Sequence, residues 1–253
     1  MTVDTKGPLY MLQVALDTAA LLRLERSLKV PPRLEDEGYL VHAALRTALG
    51  EGAPQPFALG RVEGRRMTVL GYVGADEDTL RGVLGRKGGS EGAPIVDPGS
   101  LRVKEMPNRF AEGLQLAFEV RVCPVVRRSS GDARAKAGAE VDAFLAECWR
   151  VGDGVVVDRE AVYRGWLDGQ LGRGGARVLD AKMEHFVRRR LLRRTQGTER
   201  RARGVERPDV LFKGRLEVTD GSAFGQLVRR GVGRHRAFGF GMLLLASGGR
   251  SPC

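Results

Sequence analysis

Three histidines and three cysteines are all that 253 residues supply of the side chains most used to hold a metal or a disulfide. Cys123, Cys148 and Cys253 show no Cys-x-x-Cys spacing and no histidine at ligand distance. This excludes a disulfide scaffold and a structural zinc site, and the expectation is a reduced, cytoplasmic protein. No apolar run approaches the roughly 18 residues of a membrane span. The N-terminus lacks the basic-then-apolar layout of a signal peptide. Lysine is scarce where the charge concentrates, and a Gly-Lys-Ser/Thr phosphate loop is missing, which disfavours nucleotide hydrolysis. No small-molecule cofactor and no membrane association are expected.

What is present is positive charge, and it is arginine. The formal net charge is +11, which points to an anionic partner. From His185 to Arg207 nine arginines face only Glu199 and Glu206, and Arg229, Arg230, Arg234 and Arg236 add four. Those two stretches hold the whole surplus. A guanidinium grips an oxyanion through two parallel hydrogen bonds and is less tightly hydrated than an ammonium, so phosphate is the expected ligand. The first stretch breaks into Arg188, Arg189 and Arg190, then Arg193 and Arg194, then Arg200, Arg201 and Arg203, with Gly197 between. It reads as a hairpin with basic arms, suited to straddling the phosphates of a nucleic-acid stem. DNA and RNA fit these electrostatics equally.

The second stretch lies in Gly231-Val-Gly-Arg-His-Arg-Ala-Phe-Gly-Phe-Gly241. Gly231, Gly233, Gly239 and Gly241 permit close backbone approach and positive φ. Successive N–H groups in such a loop can form an anion-binding concavity flanked by Arg234, His235 and Arg236. The competing reading is a glycine-rich turn before a terminal strand. A dinucleotide site is disfavoured, because the glycines precede a strand and do not open a helix.

Hydrophobic periodicity gives the framework. Leu9–Leu16 reads as a central strand. Asp17–Leu34 is helical until Pro31 and Pro32, and a second helix runs from Asp36 to Leu49 with Gly50 as its stop. Strands over Phe57–Val62 and Met67–Val73 flank a turn, and a helix capped by Asp76 follows. A glycine- and proline-rich loop from Gly85 to Gly99 leads to a strand at Leu101–Met106. The order β-α-β-β-α-β is that of a ferredoxin-like unit. It repeats with a strand over Leu114–Val126, a helix over Gly138–Trp149 and an added helix within residues 158–173. Strands over Arg177–Leu192 and Val210–Val218, a helix over Ser222–Arg230 and a strand over Phe240–Leu245 complete it. The fold class is α+β, with two tandem ferredoxin-like, RRM-like halves, residues 1–107 and 108–253.

Within the second helix, Tyr39, His42 and Arg46 are spaced for one helical face. A titratable base, a phenol and a fixed cation are a minimum set for moving protons at a phosphodiester. A structural role for a single helix histidine is the alternative. His185 reads as a groove or surface residue.

With these residues the chain resembles the CasE family of CRISPR repeat-RNA endoribonucleases, the processing subunit of type I-E Cascade. The resemblance rests on Tyr39-x-x-His42, on Pro124-Val-Val-Arg-Arg128, and on Trp166-Leu167 followed by Arg177-Val-Leu179. It is most specific from Phe212-Lys-Gly-Arg-Leu-Glu-Val-Thr-Asp220 through the Gly231–Gly241 loop. It implies that His42 is the general acid/base, assisted by Tyr39, and that the basic arms and glycine loop contact a CRISPR repeat hairpin. It also implies 2′-OH attack without metal, a 2′,3′-cyclic phosphate product, and Cascade-type protein partners. Three departures stand out. The Asp17–Glu35 stretch is long, small residues follow His42, and Thr47 occupies the place of a lysine found in some relatives. Arg46 or a basic-arm residue is then left to supply the cation. A non-catalytic RNA-binding subunit of the same assembly, and a general nucleic-acid-binding protein, stay open as alternatives.

Overall fold

The computed structural model describes residues 7–28, 36–87, 95–194 and 202–247. The first half runs β1 (Leu9–Asp17), α1 (Thr18–Ser27), α2 (Glu37–Leu49), β2 (Phe57–Glu63), β3 (Arg66–Val73), α3 (Glu77–Lys87) and β4 (Val96–Met106). Its sheet has the order β2-β3-β1-β4, and every described pair in it is antiparallel. β1 is central, and Leu9, Leu12, Val14, Ala15 and Leu16 are all buried along it. Val41, Ala44, Leu45 and Leu49 of α2 share a core with Val14, Phe57, Val69 and Leu101.

The second half runs β5 (Gln115–Val122), β6 (Val125–Arg127), β7 (Glu140–Asp142), α4 (Ala143–Val151), α5 (Arg159–Gly172), β8 (Ala176–Arg194), β9 (Ala202–Val218), α6 (Gly221–Arg230) and β10 (Leu243–Ser247). Its sheet order is β10-β5-β9-β8, the same winding as the first. The chain is two tandem ferredoxin-like halves. Along β5 the burial alternates strictly, with Leu116, Phe118, Val120 and Val122 inward against Phe212, Leu216, Phe224 and Leu227. Burying each such side chain contributes about 1.5–3 kcal/mol.

Short polar side chains fix the helix starts. Asp17, Asp36, Asp142, Asp158 and Asp220 each accept a backbone N–H at the first turn of α1, α2, α4, α5 and α6. Gly50, with φ 62°, ends α2.

Several boundaries differ from the sequence reading, each for a physical reason. The strand expected over Leu114–Val126 stops at Val122, because Pro124 lacks an N–H for the ladder; Val125–Arg127 pairs with Glu140–Asp142 instead. The helix expected from Gly138 starts at Ala143, after that pairing and the Asp142 cap. β4 starts at Val96, and β9 at Ala202. The last strand starts at Leu243 and not at Phe240, since Gly239 and Gly241 take φ near +80°.

β8 and β9 form a ladder from Ala176↔Val218 to Arg194↔Ala202. β5 accompanies β9 only over Val210–Glu217. The part of the hairpin carrying Arg188–Arg194 therefore runs on past the third strand. The two halves also touch directly: the Tyr72 hydroxyl donates to the Leu243 carbonyl at 2.8 Å. Buried Arg229 donates to Pro8 O at 3.1 Å, to Asn108 Oδ1 at 2.8 Å and to Gly7 O. Arg229 is thus a staple of the scaffold, although the sequence counts it with the positive surplus expected to meet an anionic partner.

Candidate active site

α2 and the glycine loop meet. A short helical turn, Arg236–Phe238, lies against α2 so closely that a Cβ on Gly38 would strike the Phe238 carbonyl. The Phe238 ring stacks near Tyr39 (centroids 6.4 Å, planes 18° apart) and tilts toward His42 (6.1 Å, 56°). His42 and Arg46 line a cleft of about 500 Å³ that also takes Gln55, Tyr72, Arg230, Arg236 and Glu51 in its walls. Tyr39 is not among the residues lining it. Its ring lies beside Phe238, and of the three side chains on one helical face His42 and Arg46 form the cleft wall.

His42 is half-buried, and its Nδ1 is enclosed without a hydrogen-bond partner. A buried ring nitrogen left in that state calls for a ligand or a proton exchange partner. Burial, followed by the positive charge of Arg46, lowers the His42 pKa below its ordinary value. Both effects favour the neutral imidazole, the form able to accept a proton.

Four arginines line the cleft, and one of them, Arg229, is the scaffold staple already described. Arg46 donates to Glu51 at 2.6 Å, which offsets part of its charge. Arg236 donates to the Arg230 carbonyl at 2.5 Å. Burial, then the charges of Arg230 and Arg234, lower its pKa from the usual arginine value; the group stays charged and gains from a nearby anion. Arg230 closes the wall. The sequence placed Arg230 in a basic stretch without giving it a role; its position in the last turn of α6, just before the glycine loop, was the available signal.

The rest of the glycine loop is built for packing. Gly231, Gly239 and Gly241 are buried. Gly231 donates its N–H to Leu227 O and Gly241 donates to Arg121 O, both at 2.7 Å, so neither N–H is left for an anion. At Gly241 (φ 81°) a Cβ would run into the Val232 carbonyl, and at Gly233 (φ 71°) it would lie 2.7 Å from the Trp166 ring. The expected open concavity is therefore filled by protein. His235 is corrected as well. Its side chain is 3% exposed, it sits 3.2 Å from Glu140, and its backbone takes φ 61°. Arg234 donates to the same carboxylate at 2.5 Å, and Arg207 at 3.4 Å. Glu140, which the sequence reading passed over, thus anchors the loop that presses Phe238 on α2.

On the β8 arm, Arg188 and Arg190 are exposed on one face, and Arg188 pairs with Glu206 at 2.8 Å. Arg189 faces the other way, with Nε 2.6 Å from buried Asp209. Asp209 also accepts from Arg121 through Nε and Nη2, both at 2.8 Å. Arg189 is therefore partly engaged by the protein, unlike its two neighbours. Arg193, Arg194 and Arg203 belong to the hairpin strands, whereas Arg200, Arg201 and Gly197 lie outside the described residues. His185 is exposed beside Arg189 and Arg121, lining a separate groove between the two sheets. Among the described residues no three His, Cys, Asp or Glu side chains come together as a metal ion requires. No described helix is long and apolar enough to cross a membrane.

The chain is 35% identical over 86 residues to the CRISPR-associated endoribonuclease Cse3 of Thermus thermophilus; the match spans 32% of this chain and 41% of that relative. The solved structure of Thermus thermophilus Cse3 bound to an RNA representing a pre-cleavage complex has the same fold. Its TM-score is 0.60 at 20% identity, over 94% of this chain and 99% of that one. The CRISPR-associated protein Cas6e of Escherichia coli also shares the fold, with TM-score 0.53 at 19% identity and the same coverage. A family description, CRISPR associated protein, matches residues 9–247. With nearly the whole chain matched, the protein belongs to this CRISPR-associated family.

Proposed function

We propose that the protein is an endoribonuclease that binds the stem-loop of a CRISPR repeat RNA and cuts the precursor at one position. The observation that carries this reading is the cleft itself. A half-buried histidine lines it together with arginines from the glycine loop, α6 and α2, where the two ferredoxin-like halves meet. In the proposed chemistry the ribose 2′-OH upstream of the scissile bond loses its proton as it attacks phosphorus. The 5′-oxygen leaves and takes up a proton, giving a 2′,3′-cyclic phosphate and a 5′-OH end. His42 moves the protons, while Arg236, Arg230 and Arg46 stabilise the charge that gathers on the phosphoryl oxygens. No metal takes part. Cascade-type subunits are the proposed protein partners.

Incubating the purified protein with a repeat hairpin and with an unrelated RNA of equal length tests the assignment. The expected result is one cut in the hairpin and none in the other RNA. Binding without a cut would leave an RNA-binding subunit; equal binding of both RNAs would leave a general nucleic-acid binder.

The arm carries its own expectation. Replacing Arg188 and Arg190 together by Ala should weaken hairpin affinity with little change in melting temperature, since both side chains are exposed. Wild-type affinity should fall steeply with salt, by about 0.7–0.9 counterions per phosphate contact, and the double variant should show a shallower slope. Filter binding across a salt series reads both. Identical slopes for the two proteins would remove the arm from the RNA interface.

A further inference from the structure

Asp36 stands where two separately built parts of the molecule meet. Its Oδ1 accepts the Tyr39 N–H at 2.9 Å and so caps α2. Its Oδ2 accepts the N–H of Leu192 in β8 at 2.8 Å, across 156 residues of chain. β8 is an outer strand of its sheet, so every second N–H along it turns away from β9 and needs a partner. Leu192 finds that partner in a helix cap and not in water, and both residues are buried. The two N–H groups are held by different oxygens of one carboxylate, an arrangement that Ser and Asn, with a single oxygen each, do not reproduce. Burial raises the Asp36 pKa, and the hydrogen bonds from Leu192 and Tyr39 work against that rise. Arg189, three residues before Leu192, lines the same shallow groove as Asp36. The strand bearing the basic arm is thereby fastened to the first turn of the helix bearing His42.

We propose that Asp36 is a positioning residue whose carboxylate couples the basic β8 arm to α2, so that an RNA hairpin seated on the arm sets His42 against the bond to be cut. The inference rests on the reading of arm and cleft given above. Asp36 is buried and is not one of the residues lining the His42 cleft. It acts through the placement of α2, and small errors in placement cost rate far more than affinity.

Asp36→Ser keeps a good helix cap and is too short to hold Leu192 as well. Asp36→Asn also caps, but presents an NH₂ group where one of the two N–H donors needs an acceptor. Both variants are expected to fold and to bind the hairpin within about threefold of wild type. Both should cleave saturating RNA about tenfold more slowly. Hydrogen exchange supplies the second readout, with a hairpin whose reacting ribose is 2′-deoxy as the probe. In the wild-type protein this RNA should slow exchange in β8 and at the amides of Leu40, Val41 and His42 together. In the two variants only β8 should respond. Cleavage at the wild-type rate in both variants overturns the coupling, as does an α2 response equal to wild type. Unfolding of both also overturns it, because Asp36 would then belong to the scaffold. A wild-type protein that does not cleave refutes the proposed function instead, and the exchange comparison still decides the coupling.

Discussion

Replacing His42 by Ala is expected to slow hairpin cleavage by about 10²–10⁴-fold while hairpin affinity hardly changes. The two effects separate because the structure separates their sources. His42 sits in the cleft wall against Phe238, whereas Arg188 and Arg190 lie exposed on the β8 arm. Burial and Arg46 hold the imidazole pKa below its ordinary value and so favour its neutral form. If loss of a proton from the 2′-OH to His42 limits the rate, single-turnover rates should rise with pH through a step below about 6.5 and then level off. The residual rate of the Ala variant should lack that step. Tyr39→Phe should do much less, because the ring beside Phe238 is kept and only the hydroxyl is lost. An Ala variant with the wild-type rate and pH profile would return His42 to a structural role, and His235, buried against Glu140, is poorly placed to take over.

Replacing Arg236 by Ala should lower the maximal cleavage rate by about 10²-fold, an effect typical of removing one donor from a site of developing charge. Arg46→Ala should cost less. Arg46 already has Glu51 at 2.6 Å, and an exposed, paired cation gives less to an incoming phosphate than a half-buried one. The expected order of rates is wild type, then Arg46→Ala, then Arg236→Ala, with dissociation constants changing less than rates. The reverse order would assign the charge stabilisation to α2 alone.

Much of this was legible in the chain. Strand alternation at Leu116, Phe118, Val120 and Val122 marked a half-buried strand, and Asp36 and Gly50 marked the ends of the helix bearing His42. These are local signals, each set by a few neighbouring residues. Misreadings arose where a residue's partner is far away in sequence. Arg229 and His235 read as parts of an anion-facing basic stretch until Gly7, Pro8, Asn108 and Glu140 are brought to them. The glycines of the terminal loop have the composition of a phosphate cradle. Their actual neighbours are Pro56, Trp166 and the loop's own carbonyls. Nothing local distinguishes a glycine kept for a ligand from one kept for a tryptophan. Arg236 carried the opposite lesson, since its place beside His42 depends on a turn that presses a distant loop onto α2.

The most direct test of the account uses two hairpin RNAs that differ by a single oxygen atom, the 2′-hydroxyl of the ribose upstream of the scissile phosphate. Cleavage of each by the wild-type protein is followed in EDTA. The account predicts that the ribose substrate is cut to a 2′,3′-cyclic phosphate end and that the 2′-deoxy substrate binds as well but is not cut. Cutting of the deoxy substrate, or loss of all cleavage in EDTA, would contradict it.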